Sequence, residues 1–239
     1  MPELPARFSL PGEGVSNKPP ACHVAIRNLG DGQFHVGIVY HEKAKLRLLH
    51  FAWHYRLETE PFTSLEYACA TPPLSDDRMR FLSALCRRIA AQRPRIPYAI
   101  RWRAGTRFSK DGSIFVPHAD CQGLTCATFI LAVFGSIGVR LLDELTWKTR
   151  PSDIAWQRSI LGVLEAQLGN AEHRKHVVLA GELKKHIEHV RREVGSLRYR
   201  PEEVAGACTV AVLPADFEQA SRAGLVIRAL LTERLHSAR

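Results

Sequence analysis

Two cysteines open a segment that contains no charged residue. Cys121 to Val139 lacks Asp, Glu, Lys and Arg, in a chain of which 24% is charged. The segment is too short and too interrupted by glycine to cross a bilayer well, so a buried helix is predicted. With Thr125 as its N-cap, Cys126 lies in the first turn, where free N–H groups and the helix dipole favour an anion. A thiolate is such an anion, and the position predicts a nucleophilic cysteine with a lowered thiol pKa.

A nucleophilic thiol needs a base, and His35 opens a predicted strand at residues 34–40. A histidine on a strand that faces the helix N-terminus can take the proton of the thiol within hydrogen-bond distance. Both residues also have a non-catalytic interpretation: Cys126 as a buried structural thiol, and His35 as an exposed histidine at the end of a strand.

The run Cys126-Ala-Thr-Phe-Ile-Leu-Ala-Val-Phe, ending in Gly138-Val139-Arg140-Leu141, resembles the nucleophile helix of the NlpC/P60 papain-like superfamily. The family usually has Ser-Gly after the cysteine, where this chain has Ala127-Thr128. The strand Phe34-His35-Val36-Gly37-Ile38 is similar to the family's histidine strand. Because the histidine precedes the cysteine here, the chain resembles the circularly permuted branch, which includes the lecithin:retinol acyltransferase-like proteins. The resemblance covers roughly residues 20–145 and implies cysteine acyl-transfer chemistry.

The same resemblance suggests further site residues. In the permuted branch a polar residue or second histidine on the next strand orients the base, and His50 matches that place, with His54 as the alternative. Gln122 is a candidate oxyanion donor beside the backbone N–H of Cys126. The structural alternative is a loop glutamine that caps the helix. Cys121 is the rival nucleophile, because Asp-Cys-Gln-Gly-Leu also echoes a form of the family signature.

Hydrophobic patterns predict an α+β fold of papain-like type, with an antiparallel sheet, a buried nucleophile helix and a helical C-terminal region. Strands are expected at residues 22–28, 34–40, 45–53, 96–102 and 114–116, and helices at 75–92, 154–168, 171–194 and 216–235. Residues 205–213 form an apolar run of uncertain type. The predicted organisation is a flexible segment 1–20, a catalytic core 21–146 and a helical region 147–239 packed on that core.

A net charge of +9 is compatible with binding to nucleic acid. The positive charges are scattered, however, and alternate with Glu on a predicted helix, so nucleic-acid binding is not expected. No Cys-x-x-Cys pair occurs and no histidine spacing requires a metal, so neither a metal nor another cofactor is predicted. Without a visible signal peptide, a cytoplasmic protein, or delivery by another route, is expected, with no membrane span.

The expected function is a cysteine hydrolase of amidase or peptidase type with a peptide, amide or acyl substrate. A thioesterase or lipid acyltransferase on the same fold is one alternative. A catalytically inactive module that binds a peptide or partner is another.

Overall fold

The main sheet contains six strands in the order β1-β6-β2-β3-β4-β5, and neighbouring strands all run antiparallel. The computed structural model describes residues 5–16, 18–173 and 177–237. The strands are β1 (Phe8–Ser9), β2 (His23–Gly30), β3 (Gln33–Glu42), β4 (Lys45–Trp53), β5 (Arg56–Pro61) and β6 (Ala68–Ala70). Two short strands, β7 (Arg107–Phe108) and β8 (Phe115–Val116), form a separate pair. The antiparallel sheet of the predicted α+β fold is confirmed.

The ladders on the two sides of β3 differ in length. The ladder between β2 and β3 continues to Gln33, at the tip of the hairpin. The ladder between β3 and β4 runs from the Glu42–Lys45 pair to the Ile38–Leu49 pair. The start of β3 therefore has a ladder partner on one side, and backbone groups on its other side are free to bind something else.

The described residues form six helices: α1 (Asp76–Gln92), α2 (Cys126–Ser136), α3 (Ser152–His173), α4 (Val177–Glu193), α5 (Pro201–Ala207) and α6 (Phe217–Ser237), with a 3₁₀ turn at Glu144–Thr146. Helices α1, α2, α5 and α6 pack on the main sheet, and α3 packs on α4. Helix α2 packs against β3, β4 and α5, and its residues from Ala127 to Phe134 are buried. The predicted buried helix is present because this segment is apolar on every side. Its N-cap is Thr125, which accepts from Thr128 N–H at 3.2 Å, while the Thr128 hydroxyl accepts from Thr125 N–H at 2.7 Å.

The predicted strand at residues 96–102 is absent; the structure has only an isolated bridge between Tyr98 and Leu124. Ala99 N–H donates to the Leu124 carbonyl at 3.1 Å, but other backbone donors of the segment bond to side chains rather than to a ladder. Tyr98 N–H donates to His54 Nδ1 at 3.1 Å, and Ile100 N–H donates to Glu193 at 2.8 Å. Tertiary contacts here override a pattern that favours a strand.

Three other boundaries differ from the predictions. Residues 8 and 9 form β1 within the segment expected to be flexible, because Phe8 is buried in the core; residues 1–4 and 17 lie outside the described residues. The run at 205–213 is the end of α5 followed by turns. Residues 171–173 belong to α3 rather than α4, and 174–176 lie outside the described part of the chain.

Candidate functional site

Cys126 lies at the first turn of α2, beside the start of β3. The backbone N–H of Val36, the residue after His35, interacts with the Cys126 sulfur and favours its thiolate form. That N–H belongs to the part of β3 beyond the β3–β4 ladder. The Cys126 thiol thus lies beside a backbone N–H that the β3–β4 ladder does not use, next to the predicted base His35.

His35 and His50 form a direct pair. The Nε2 atom of His35 and the Nδ1 atom of His50 are 2.8 Å apart, and both residues are buried. The contact requires a close approach of β3 and β4 at Gly37, where an added Cβ would meet the His50 Cβ at 2.9 Å and a Leu48 methyl at 2.8 Å. Glycine at position 37 therefore makes room for His50.

The His35–His50 pair continues to acidic residues on β5. His50 Nε2 lies 3.7 Å from Glu60 and 4.0 Å from Glu58. A proton on His50 Nε2 faces these carboxylates and leaves Nδ1 to accept from His35 Nε2–H. In that tautomer His35 Nδ1 carries a lone pair, which is the form that a base for a thiol needs.

Cys126 and His35 line one cavity of about 140 Å³. Leu29, Phe34, Trp53, Trp156 and Ile160 supply apolar walls, and Tyr98, Arg198 and Tyr199 supply polar groups. Larger concavities of about 640 and 780 Å³ exist on the surface, but no cysteine lines either of them. We therefore place the candidate site in the smaller cavity, because Cys126 and His35 both line it.

The thiol and the imidazole are both neutral at rest. Burial raises the pKa of Cys126, and the N–H groups of Val36 and Ala127 and the charge of Arg198 only partly oppose this. Burial, followed by His50 and Arg27, lowers the pKa of His35 to about 3. The expected lowering of the thiol pKa by the helix N-terminus is therefore wrong, because desolvation outweighs the dipole. No hydrogen bond joins His35 to Cys126 among the described residues.

The other predicted site residues lie elsewhere. Gln122 is exposed and does not line the cavity, so it is not placed as an oxyanion donor. The Cys121 thiol is buried and donates to the carbonyl oxygens of Arg101 and Gly123 at 3.1 and 3.2 Å, which is a structural arrangement. His54 accepts from Tyr98 N–H and packs on His186, with ring centroids 4.5 Å apart. His50, not His54, therefore contacts His35.

Two site residues were missed by the sequence analysis. Tyr98 lines the cavity, and burial together with the negative charge of a Cys126 thiolate raises its pKa well above the usual value, so its hydroxyl stays a donor. Arg198 comes from the segment before α5. Neither had a local signal, because a single Tyr or Arg in a loop follows no period.

Within the described ranges, no group of three or more His, Cys, Asp or Glu is arranged to hold a metal ion. In the same part of the chain, no helix combines the length and apolar content needed to span a bilayer.

Comparisons of the chain with protein-family models, with curated proteins and with solved structures found no match.

Proposed function

We propose that the chain is a cysteine hydrolase that cleaves an amide through a thioester on Cys126. The observation that carries this proposal is the 2.8 Å contact between His35 and His50, next to a helix-terminal thiol in the same cavity. A nucleophile, a base and a group that orients the base are the three parts that such chemistry requires.

In the proposed reaction, Cys126 sulfur attacks the carbonyl carbon as His35 Nδ1 takes the thiol proton. The carbon–nitrogen bond then breaks, and the imidazolium returns that proton to the leaving amine. Water attacks the thioester with His35 again as base, which releases the acid and restores the thiol. His50 holds the tautomer of His35, and its second nitrogen faces Glu60, 3.7 Å away.

The negative oxygen of the tetrahedral intermediate needs donors. The backbone N–H of Cys126 at the helix start is one, as the sequence suggests. The Tyr98 hydroxyl is proposed as the second in place of Gln122, because Tyr98 lines the cavity and Gln122 does not. Tyr98 is held in place by its ring contacts with Trp53 and Phe51, at centroid distances of 4.4 and 5.7 Å.

The papain-like assignment is part of the proposal. It is supported by an antiparallel sheet carrying the histidines, a buried helix that begins at the cysteine, and histidines that precede the cysteine in the chain. These are the features on which the resemblance to the permuted NlpC/P60 branch depends.

The two alternatives differ in how they fit the cavity. A lipid acyltransferase must accommodate a long chain, and 140 Å³ is below the usual range for a ligand pocket, roughly 300–1,000 Å³. One feature favours an inactive binding module: burial stabilises the neutral forms of both the thiol and the imidazole. Turnover separates that module from an enzyme.

The test is hydrolysis of butyryl and glutaryl p-nitroanilides by the wild-type chain and two cysteine variants. Cys126→Ala should lose turnover to background, because the nucleophile is gone. Cys121→Ala is the matched control, since it removes a thiol five residues earlier that does not line the cavity; it should keep turnover per folded molecule. Activity that survives in Cys126→Ala would refute the proposal. Trapping of an acyl group on Cys126, located by mass spectrometry, would support it directly.

A further inference from the structure

Three arginines surround two carboxylates at one wall of the cavity. Arg150 bonds Asp153 at 2.8 Å and also pairs with Glu203. Arg198 bonds the other oxygen of Asp153 at 3.2 Å, and Arg200 bonds the same oxygen at 3.0 Å. The cluster holds three positive charges against two negative ones, so it has an unbalanced cation.

A third carboxylate nearby does not provide the balance. Glu202 interacts with Arg198 and Arg200, but it also lies 3.9 Å from a fourth arginine, Arg228, and burial raises its pKa. Arg228 does not line the cavity. With Glu202 and Arg228 included, four arginines face three carboxylates, so one positive charge remains in excess.

Arg198 is the member of this cluster that lines the cavity. Its guanidinium lies over the ring of Trp156, 3.7 Å from the centroid, which fixes its plane. One Nη1 bond to Asp153 is its only side-chain hydrogen bond among the described residues, and its Nε is buried without a partner. The terminal nitrogens of Arg198 hold only that one bond, so the guanidinium can still donate a charge-assisted hydrogen bond to a carboxylate in the cavity.

The size of the cavity limits the ligand. A cavity of about 150 Å³ can hold a molecule the size of benzene, so this one, at about 140 Å³, fits a short chain. Its walls combine the thiol, apolar groups such as Ile160 and the guanidinium of Arg198. A chain of a few methylenes between a carbonyl and a carboxylate meets all three.

We infer that Arg198 selects an acyl group that ends in a carboxylate, as in an amide of succinic or glutaric acid. This inference rests on the proposed function for the role of Cys126, and it adds the class of acyl group. The carbonyl carbon lies at the thiol, the methylenes lie against the apolar walls, and the distal carboxylate pairs with Arg198.

The first arm of the test compares alkylation of Cys126 by iodoacetate, which is anionic, and by iodoacetamide, which is neutral and of nearly the same shape. Arg198→Met should lower the iodoacetate-to-iodoacetamide rate ratio about tenfold, because a charge-assisted contact is lost. Arg198→Lys should keep only part of the ratio, because it retains the charge but loses the planar donors and the stacking on Trp156. Arg200→Met is the matched control, since it removes a cation from the same carboxylate outside the cavity lining, and it should leave the ratio near the wild-type value. An equal slowing with both reagents in Arg198→Met would mean that Arg198 acts on the thiolate alone, and would overturn the inference.

The second arm uses the wild-type chain, so it does not depend on a variant folding. Glutarate and its neutral diamide are titrated while the tryptophan fluorescence of the chain is followed, to which Trp53 and Trp156 contribute at the cavity. Glutarate should change the emission with saturation, and the diamide should need at least tenfold more ligand. Equal responses would overturn the inference even if Cys126 proves to be the nucleophile. Saturable glutarate binding without any thiol reactivity would keep the anion site and reject the proposed hydrolase.

Discussion

The carboxylate of Glu193 accepts the backbone N–H of Ile100 at 2.8 Å. The same oxygen accepts the next N–H, from Arg101, at 3.1 Å. Glu193 is the last residue of α4, and Tyr98 of the segment that it holds lines the cavity. The C-terminal helices therefore hold a segment of the core that has no ladder of its own.

Replacing Glu193 tests this role. Glu193→Ala leaves two N–H groups unpaired in a buried place, and should lower the free energy of unfolding by roughly 2–4 kcal/mol. Glu188→Ala, at an exposed position of the same helix, should change it by less than about 0.5 kcal/mol. Urea unfolding measures both. Equal values for the two variants would show that the segment does not depend on α4.

The reactivity of Cys126 should depend on pH in a defined way. All six cysteines lie in the described part of the chain; Cys126 is partly exposed and the other five are buried. Access therefore makes Cys126 the first to react with iodoacetamide. Because burial raises its thiol pKa, the rate should keep rising above pH 9 instead of levelling off near neutrality. Mass-spectrometric mapping after short exposures gives the rate at each pH. A plateau below pH 7 would show a preformed thiolate and contradict the neutral resting state.

The proposed roles of Cys126, His35 and His50 predict that the losses of activity in their variants do not add. His35→Ala and Cys126→Ala should each abolish turnover of the p-nitroanilides, because each removes a group that reacts. His50→Ala should leave reduced activity, since it orients His35 and does not touch the substrate. The double variant His35→Ala/His50→Ala should be no worse than His35→Ala, because the residues act as one unit. An additive double loss would mean that His50 acts independently of His35.

His54 is a buried histidine that resists protonation, so it should make the free energy of unfolding depend on pH. Burial, then the charges of His186 and Arg95, lower the pKa of His54 to about 4. The unfolded chain binds this proton near pH 6.5, so the stability contributed by neutral His54 is present above that pH and is lost as the pH falls towards 4. From pH 7.5 to pH 5 the loss attributable to His54 should be on the order of 1–2 kcal/mol.

The control for this effect is a histidine outside the core. His54→Gln should flatten the fall in unfolding free energy between pH 7.5 and pH 5, measured in urea. His118→Gln, at an exposed position, should leave the slope as in the wild-type chain. If His54→Gln leaves the pH dependence of the unfolding free energy unchanged, His54 is not the source of the stability loss at low pH.

The sequence predicts the parts of this fold that local patterns determine. The strands around His35 and His50 alternate in polarity, and the helix from Cys126 is apolar on all sides with Thr125 as a cap, so both were predictable. The segment with Tyr98 and Ile100 has the composition of a strand, but its hydrogen-bond partners lie on β4 and α4, which no local pattern specifies.

The candidate site divides in the same way. The types and positions of Cys126 and His35 identify two members, and the resemblance adds His50. Arg198 could not be predicted, because its place in the cavity depends on the packing of α3 and α5 against the core. The direction of the thiol pKa was wrong for a related reason: the helix N-terminus is local, whereas the burial that opposes it comes from the whole fold.

The cavity wall has a consequence for the order in which the protein acquires its chemistry. Its thiol, its imidazole and its guanidinium come from points about ninety and seventy residues apart along the chain. Closing such long loops is slow compared with forming a helix or a hairpin. A chain still being synthesised, or one that has lost its last third, therefore contains α2 and the β3–β4 hairpin without the complete cavity. Any chemistry that needs all three groups begins when the C-terminal helices dock.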